Sequence, residues 1–532
     1  MNITPEKRTR IFWSIASGIC LTCAFDNIGL GFLAWFALGI LLFGLRNAPV
    51  REALYLGLLA GFVHYVTLLY WLVPTMHRYG PLPVWLSIGV LMLLAFYLAL
   101  YFALFSGMVV AVVKQPVFLV LAVPVFWVSL EYVKTFLFSG FPWGLIGYSQ
   151  YNYLHLIQAA DIFGVYGVSF FVAAVNAALL VIFLQAGGFH WQNTPAGLRN
   201  AVFCFFFIIV IFALNAGYGR YKIEEMDRAA AGADRLNVSV VQGNIEQSLK
   251  WEEAHVVSIV DGYLRLSEKA LSSGAQVIVW PETAMPFYFL QEREQTGRVL
   301  DAVGRMEAWF LIGSPSFEYD REKDALWFYN SAYLVDPKGM VSGVYDKVHL
   351  VPFGEYVPLG DWLPFVNRMV QSIGDFRPGT AGKVLSMTDA DLAVQICYEI
   401  IFPHLSAEMV KNGGSLIVNI TNDAWFGKTA GPRQHFSMAV FRSVENRRAL
   451  IRSANTGISA FVDPSGRVTE RSELFETAVI SRSVPVITGK QSFYTKYMDL
   501  LPVFCLAAAL LILAAAGIRR NRKMHGGKTN ER

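Results

Sequence analysis

The strongest constraint in this 532-residue chain is a long stretch almost without charge. Residues 11–217 contain only ten charged side chains: Asp26, Arg46, Arg51, Glu52, Arg78, Lys114, Glu131, Lys134, Asp161 and Arg199. A helix that crosses a bilayer needs about 20 mainly apolar residues, because its backbone must satisfy its own hydrogen bonds. Seven such runs precede residue 218, at about 11–25, 29–45, 53–73, 84–112, 117–133, 162–185 and 200–217, and an eighth covers about 497–518. The chain is therefore expected to hold a membrane domain at 1–217, a soluble domain at 218–496, an eighth membrane helix at 497–518 and a basic tail at 519–532. The averages of 55% hydrophobic and 16% charged residues conceal this division.

Lys and Arg in short loops set orientation. Lys7, Arg8, Arg10, Arg46, Arg51, Lys114, Arg199 and the Arg519, Arg520, Arg522, Lys523 cluster all fall on one side if there are eight crossings. That side is expected to be the cytoplasm, with both termini on it. The soluble domain then lies outside, which in a bacterium is the periplasm beyond the inner membrane. The aromatic, nearly uncharged loop at 134–160 is expected in the membrane interface. A net charge of +4 without a basic stripe argues against nucleic acid as a partner.

Between 236 and 484 apolar strand-like runs alternate with helical patterns: 236–244, 275–282, 308–316, 392–399 and 415–423, with a helix over 433–448. DPKG (336–339) and DPSG (463–466) read as hairpin turns. This is the pattern of an α/β domain whose sheets are covered by helices.

Five Cys are too few for a disulfide scaffold. Cys20, Cys23, Cys204 and Cys505 fall in apolar spans. Cys397 stands alone in the soluble domain, directly after the strand-like LAVQI and before a short helical run. A helix N-terminus at that point favours thiolate. Glu282 follows the strand VIVW, and Lys347 follows a hairpin, so three strand ends offer a carboxylate, an ammonium and a thiol. His349, His404 and His435 lack ligand spacing and are expected to be structural, with no metal and no cofactor.

The Glu after strand-Trp-Pro, the Lys of YDKVHL and the Cys of CYE, about 65 and 50 residues apart, resemble the nitrilase, or carbon–nitrogen hydrolase, superfamily. The wider pattern resembles the apolipoprotein N-acyltransferase family: VQGNIEQSLKW (241–251), WPETAMP (280–286), YDKVHLVPFGEYVP (345–358), ICYEIIFP (396–403), NITNDAWFG (419–427) and RSANTGISAFVDPSG (452–466). The resemblance implies an eight-helix membrane domain joined to an αββα sandwich. It implies a catalytic triad of Glu282 as base and acid, Lys347 as oxyanion stabiliser and Cys397 as nucleophile. It further implies that Glu355 and Glu399 support the triad, that Tyr398 shapes the oxyanion site and that Trp251 lines the acyl entrance.

The implied reaction is acyl transfer from a membrane phospholipid, phosphatidylethanolamine first among them, through a Cys thioester to the α-amine of a diacylglyceryl-cysteine lipoprotein. The partners are then the two lipid substrates and the bilayer. Residues 361–376 place Trp362, Phe365 and Met369 at helical spacing near the site, which suggests a lid dipping into the outer leaflet. A membrane-anchored amidase with the same triad, passing the acyl group to water, is the competing reading. A transporter with a sensory domain is a more distant one.

Overall fold

A computed structural model describes residues 4–80, 82–322, 324–356 and 376–526, with side chains through Arg519. The chain divides into two compact units. One comprises Met1–Val73, Leu82–Arg220 and Asp499–Arg532; the other comprises Pro74–Pro81 and Tyr221–Met498.

The first unit is helical: α1 (Pro5–Cys23), α2 (Ala34–Leu45), α3 (Val50–Leu68), α5 (Val84–Val112), α6 (Leu119–Phe136), the short α7 (Leu154–Ile157), α8 (Ala160–Ala186), most of α9 (Leu198–Ala231) and α15 (Leu500–Gly526). Among the described residues five helical stretches are long and apolar enough to cross a membrane: Val84–Val112, Pro116–Phe136, Ala160–Ala186, Leu198–Ala231 and Leu500–Arg519. A sixth is obtained if α3 and α4 (Leu72–Tyr79), bent by 50° at their junction, count as one. The run at 29–45 yields only a 3-10 turn and the 12-residue α2. At 1.5 Å per residue α2 is short of the roughly 30 Å hydrocarbon core. The apolar run from 200 ends in the sequence, but α9 continues to Ala231 because GRYKIEEMDRAAA is rich in good helix formers.

Small residues let these helices approach closely. A Cβ on Gly57 of α3 would lie 2.4 Å from the Phe102 carbonyl of α5. The 134–160 loop folds into the unit: Trp143, Tyr148 and Gln150 are buried. Its backbone finds polar partners there. Ile146 N–H donates to Glu131 (2.7 Å) and Lys134 Nζ donates to the Trp143 carbonyl (3.1 Å), while the Gln150 side-chain oxygen accepts from Trp35 Nε1 (3.0 Å). A polar anchor at the end of α6 thus draws in a loop that composition alone assigns to the surface.

The second unit holds two six-stranded sheets. In the first the order is β14 (Ala478–Pro485), β3 (Arg235–Gln242), β4 (Val277–Val279), β5 (Trp309–Asp320), β6 (Ala325–Val335), β7 (Val341–Asp346). In the second it is β13 (Val468–Arg471), β12 (Ala460–Val462), β11 (Ala449–Ala454), β10 (Leu416–Thr421), β9 (Asp391–Ile396), β8 (Leu385–Ser386). The remaining strands, β1 (His190–Trp191) and β2 (Thr194–Pro195), form a small hairpin in the helical unit. The central strands β3–β4–β5 and β9–β10–β11 are parallel and near-continuously apolar, as strands buried on both faces must be.

Ser453 of β11 donates to the Val279 carbonyl of β4 (3.1 Å), so the sheets lie face to face. On the outer side of the first sheet, α10 (Glu253–Ser272) and α11 (Arg293–Met306) bury Val260, Tyr263, Val299 and Val303 with Trp280 and Phe310. On the second sheet lie α12 (Pro403–Lys411) and α13 (Gly431–Asn446), which is buried at every position but Arg433. The result is an αββα sandwich, with a short α14 (Phe493–Tyr497) at its end.

Candidate active site

Four strands of the sandwich end at one place, and each delivers a polar residue just past its last ladder position. Glu282 follows β4, Lys347 follows β7, Cys397 follows β9 and Asn422 follows β10. Side chains at the carboxyl ends of parallel strands are a usual place for a site in α/β proteins. The close approach of β4 and β5 needs a glycine, since a Cβ on Gly313 would sit 2.3 Å from the Pro281 carbonyl and 2.8 Å from Glu282 Cα.

The charged groups are buried together. Glu282 is 6% exposed and Lys347 1%. Lys347 Nζ is 2.9 Å from the Glu355 carboxylate and 3.7 Å from Glu282. Burial alone would pull the ammonium down, but Glu355, Glu282 and the thiol of Cys397 outweigh it and push Lys347 above its ordinary value. It is a permanent cation. Asn330, in the middle of β6, joins the two carboxylates: Nδ2 donates to Glu282 (2.8 Å) and Glu355 (2.9 Å), while its carbonyl accepts from Lys347 N–H (2.8 Å). The other oxygen of Glu282 accepts from the Asn422 backbone N–H (2.8 Å).

Cys397 opens a 3-10 turn, Cys397–Ile401, with φ 52°. A non-glycine residue in the left-handed region costs about 1 kcal/mol or more and persists only where its surroundings fix it. Two sets of bonds fix it here. Glu399 accepts from the N–H groups of Ile396 (2.7 Å), Val348 (2.6 Å) and His349 (3.1 Å) and from the Tyr345 hydroxyl (2.9 Å). Burial pushes the Glu399 carboxyl up to about 7, against the pull of those donors and of Lys347. On the other side, His435 Nε2 lies 3.2 Å and Asn419 Nδ2 3.5 Å from the Cys397 carbonyl.

His435 belongs to a buried charge cluster. Its Nδ1 is 3.0 Å from Asp423 and 3.0 Å from an Arg452 guanidinium nitrogen, and Arg452 pairs with Asp423 at 2.8 Å. Burial, then Arg452, lowers the imidazole, so it is neutral. A neutral ring carries one proton: on Nδ1 it is donated to Asp423, and on Nε2 it is donated to the Cys397 carbonyl while Nδ1 accepts from Arg452.

The thiol itself differs from the sequence expectation of a thiolate. Burial raises Cys397 most, and Glu282 and Asp423 add to it, against Lys347 and a hydrogen bond from Thr421. A 3-10 turn of five residues supplies too little dipole to reverse this. At rest the group is a neutral SH beside a carboxylate, which suits nucleophilic attack assisted by a base.

Of the other sequence candidates, Glu355 and Glu399 hold the triad in the two ways just described. Tyr398 is buried against His349 and Phe402. Trp251 is 53% exposed on the loop before α10. Trp362, Phe365 and Met369 lie outside the described residues. Sequence reasoning missed Asn330, Asp423, His435 and Arg452 as site residues. It also missed Lys250, fully buried, whose Nζ reaches the Glu282 carbonyl at 3.5 Å and which burial lowers to about 8. The available signal was a polar residue inside an otherwise apolar run, as in WFYNSAYLV for Asn330.

A buried Glu–Lys–Cys constellation at the strand ends of an αββα sandwich defines a nitrilase-like hydrolase domain. The family model "Carbon-nitrogen hydrolase" matches residues 237–489, and the model "Apolipoprotein N-acyltransferase N-terminal domain" matches residues 17–178. Over its length the chain is similar to apolipoprotein N-acyltransferases from Geobacter metallireducens (40% identical over 510 residues, 96% of this chain and 95% of the relative) and Methylococcus capsulatus (31% over 524 residues, 97% and 98%). The chain belongs to the apolipoprotein N-acyltransferase family. Among solved structures it aligns with Saccharomyces cerevisiae Nit3, a member of the nitrilase superfamily, at 17% identity and TM-score 0.37, covering 50% of this chain and 95% of that one.

Proposed function

We propose that the chain transfers an acyl group from a membrane phospholipid to the α-amine of a diacylglyceryl-cysteine lipoprotein, with Cys397 as the covalent carrier. The observation that carries this reading is the meeting of Glu282, Lys347 and Cys397 in one buried site of a chain that also has at least five long apolar helices. In the first half-reaction Glu282 takes the thiol proton as Sγ attacks the ester carbonyl. The tetrahedral oxyanion is met by Lys347 Nζ, a fixed cation where charge develops. Collapse expels the lysophospholipid alkoxide, which takes the proton back from Glu282, leaving a thioester. In the second half the lipoprotein amine attacks the thioester, Glu282 accepts the amine proton, and collapse returns the thiol.

The donor we favour is phosphatidylethanolamine. The frame we favour has eight crossings, with α1 and α2 completing the longer helices, termini in the cytoplasm and the sandwich in the periplasm of the bacterial inner membrane. The Lys and Arg distribution supports that orientation.

The full chain in detergent, incubated with phosphatidylethanolamine alone, should gain the mass of one acyl chain. Adding a diacylglyceryl-cysteine peptide should discharge it and acylate the peptide. Release of free fatty acid with no peptide product would mean hydrolase chemistry instead. Asn330→Leu provides a narrower check. It leaves Glu282 and Glu355 without their shared donor, and single-turnover thioester formation should slow roughly tenfold or more. An unchanged rate would show that the bridge is dispensable.

A further inference from the structure

The segment Pro74–Pro81, which holds most of the short helix α4 (Leu72–Tyr79), belongs to the catalytic unit. Two of its side chains bond a single turn. The Thr75 hydroxyl donates to the Trp425 carbonyl (2.8 Å), and the Tyr79 hydroxyl donates to the Ala424 carbonyl (3.0 Å). The Tyr79 ring packs edge-on against Trp425 with centroids 5.0 Å apart, and Arg78 reaches Glu246 at 3.4 Å.

That turn is where two supports of the site originate. Asn422 N–H holds a Glu282 oxygen, and Asn422 Nδ2 donates to Gln247 (2.7 Å) on the loop leading to Trp251. Asp423 anchors Arg452 and His435 beneath the Cys397 carbonyl. Residues 423–426 form a single 3-10 turn ending at Gly427, whose φ of 60° breaks the helix, so the turn has few internal bonds of its own. Its Ala424 and Trp425 carbonyls are bonded by side chains from α4.

We propose that α4 is a positioning element for the general base: Thr75 and Tyr79 fix the 422–426 turn, and through the Asn422 N–H they hold the Glu282 carboxylate in register with Cys397. This rests on the reading of Glu282 as the base. A positioning role acts on the chemical step and leaves phospholipid binding alone, which distinguishes it from a purely structural one.

The test uses the full chain in detergent and measures single-turnover thioester formation from phosphatidylethanolamine over a range of lipid concentrations. Tyr79→Phe removes the hydroxyl and keeps the ring on Trp425. Thr75→Val keeps the shape and removes the donor. The double variant should lower the saturating acylation rate roughly tenfold to thirtyfold, the worth of two hydrogen bonds, with the half-saturating lipid concentration unchanged. Thr75→Ser, which restores the hydroxyl, should recover the Thr75→Val loss. A wild-type rate in the double variant overturns the proposal, as does a loss that appears in half-saturation alone or that Thr75→Ser does not recover. Glu282→Gln is run alongside: full acylation by that variant would refute the role of Glu282 itself, whatever α4 does.

Discussion

Cys397→Ala should abolish the acyl adduct while leaving the fold in place. The residue sits at φ 52°, a conformation that Ala pays for much as Cys does, so the turn Cys397–Ile401 is retained. The bonds that fix the turn run to the Cys397 carbonyl and to Glu399, and Ala gives up only the sulfur's hydrogen bond with Thr421. What disappears is the nucleophile. Removing a catalytic nucleophile lowers turnover by at least roughly a thousandfold, because the remaining groups have nothing to activate. Intact mass after incubation with phospholipid should show the unmodified chain, with thermal unfolding close to wild type. An adduct of undiminished yield would place the acyl group on another residue and end the thioester mechanism.

Asp423→Asn should cost both stability and activity. Asp423 and Arg452 are each fully buried and 2.8 Å apart, so the substitution leaves a guanidinium charge in the interior with no counterion. Breaking a buried pair from one side typically costs about 3–5 kcal/mol. The same residue gives a pH signature. Burial raises its carboxyl, but Arg452 and His435 more than compensate and hold it down from 3.8 to about 2. A depressed carboxylate contributes stability that is present above its unfolded value and lost as pH falls through its folded one. The wild-type sandwich should therefore lose about 2 kcal/mol between roughly pH 4 and pH 2 from this group, and the variant should not show that component. Hydrogen exchange over β10, β11 and the 422–426 turn reads both effects. Exchange in the variant that matches wild type at neutral pH would contradict the assigned role.

The strand ends that bring Glu282, Lys347 and Cys397 together could be read from the sequence because each of these polar residues follows a strand-like run, which is visible without a fold. The hairpins at 336–339 and 463–466 were equally plain, as β6–β7 and β12–β13 show. Asn330 was not, because its importance comes from a register in which β6 lays it across from two carboxylates that arrive 48 residues before it and 25 after. Nor could the sequence divide the strands between two sheets. β14, written AVISRSVP, pairs antiparallel with β3 from 235 residues or more away. The apolar run at 53–73 takes in only the first two residues of α4, and hydropathy reveals neither the 50° bend nor the unit that the rest of this short helix joins. Nor does composition show that Glu131 and Lys134 receive the backbone of the 134–160 loop.

The raised, buried thiol of Cys397 has a consequence for the lifetime of the enzyme. Peroxide, disulfides and alkylating agents react with thiolate, and the first oxidation product forms only as fast as thiolate is available to be oxidised. A nucleophile kept as SH until a substrate ester is in place is chemically quiet between turnovers. Cys397 is the one cysteine between residues 218 and 496 of the sequence, so no neighbour in that stretch can resolve a sulfenic acid, and the quietness of the SH form is its protection.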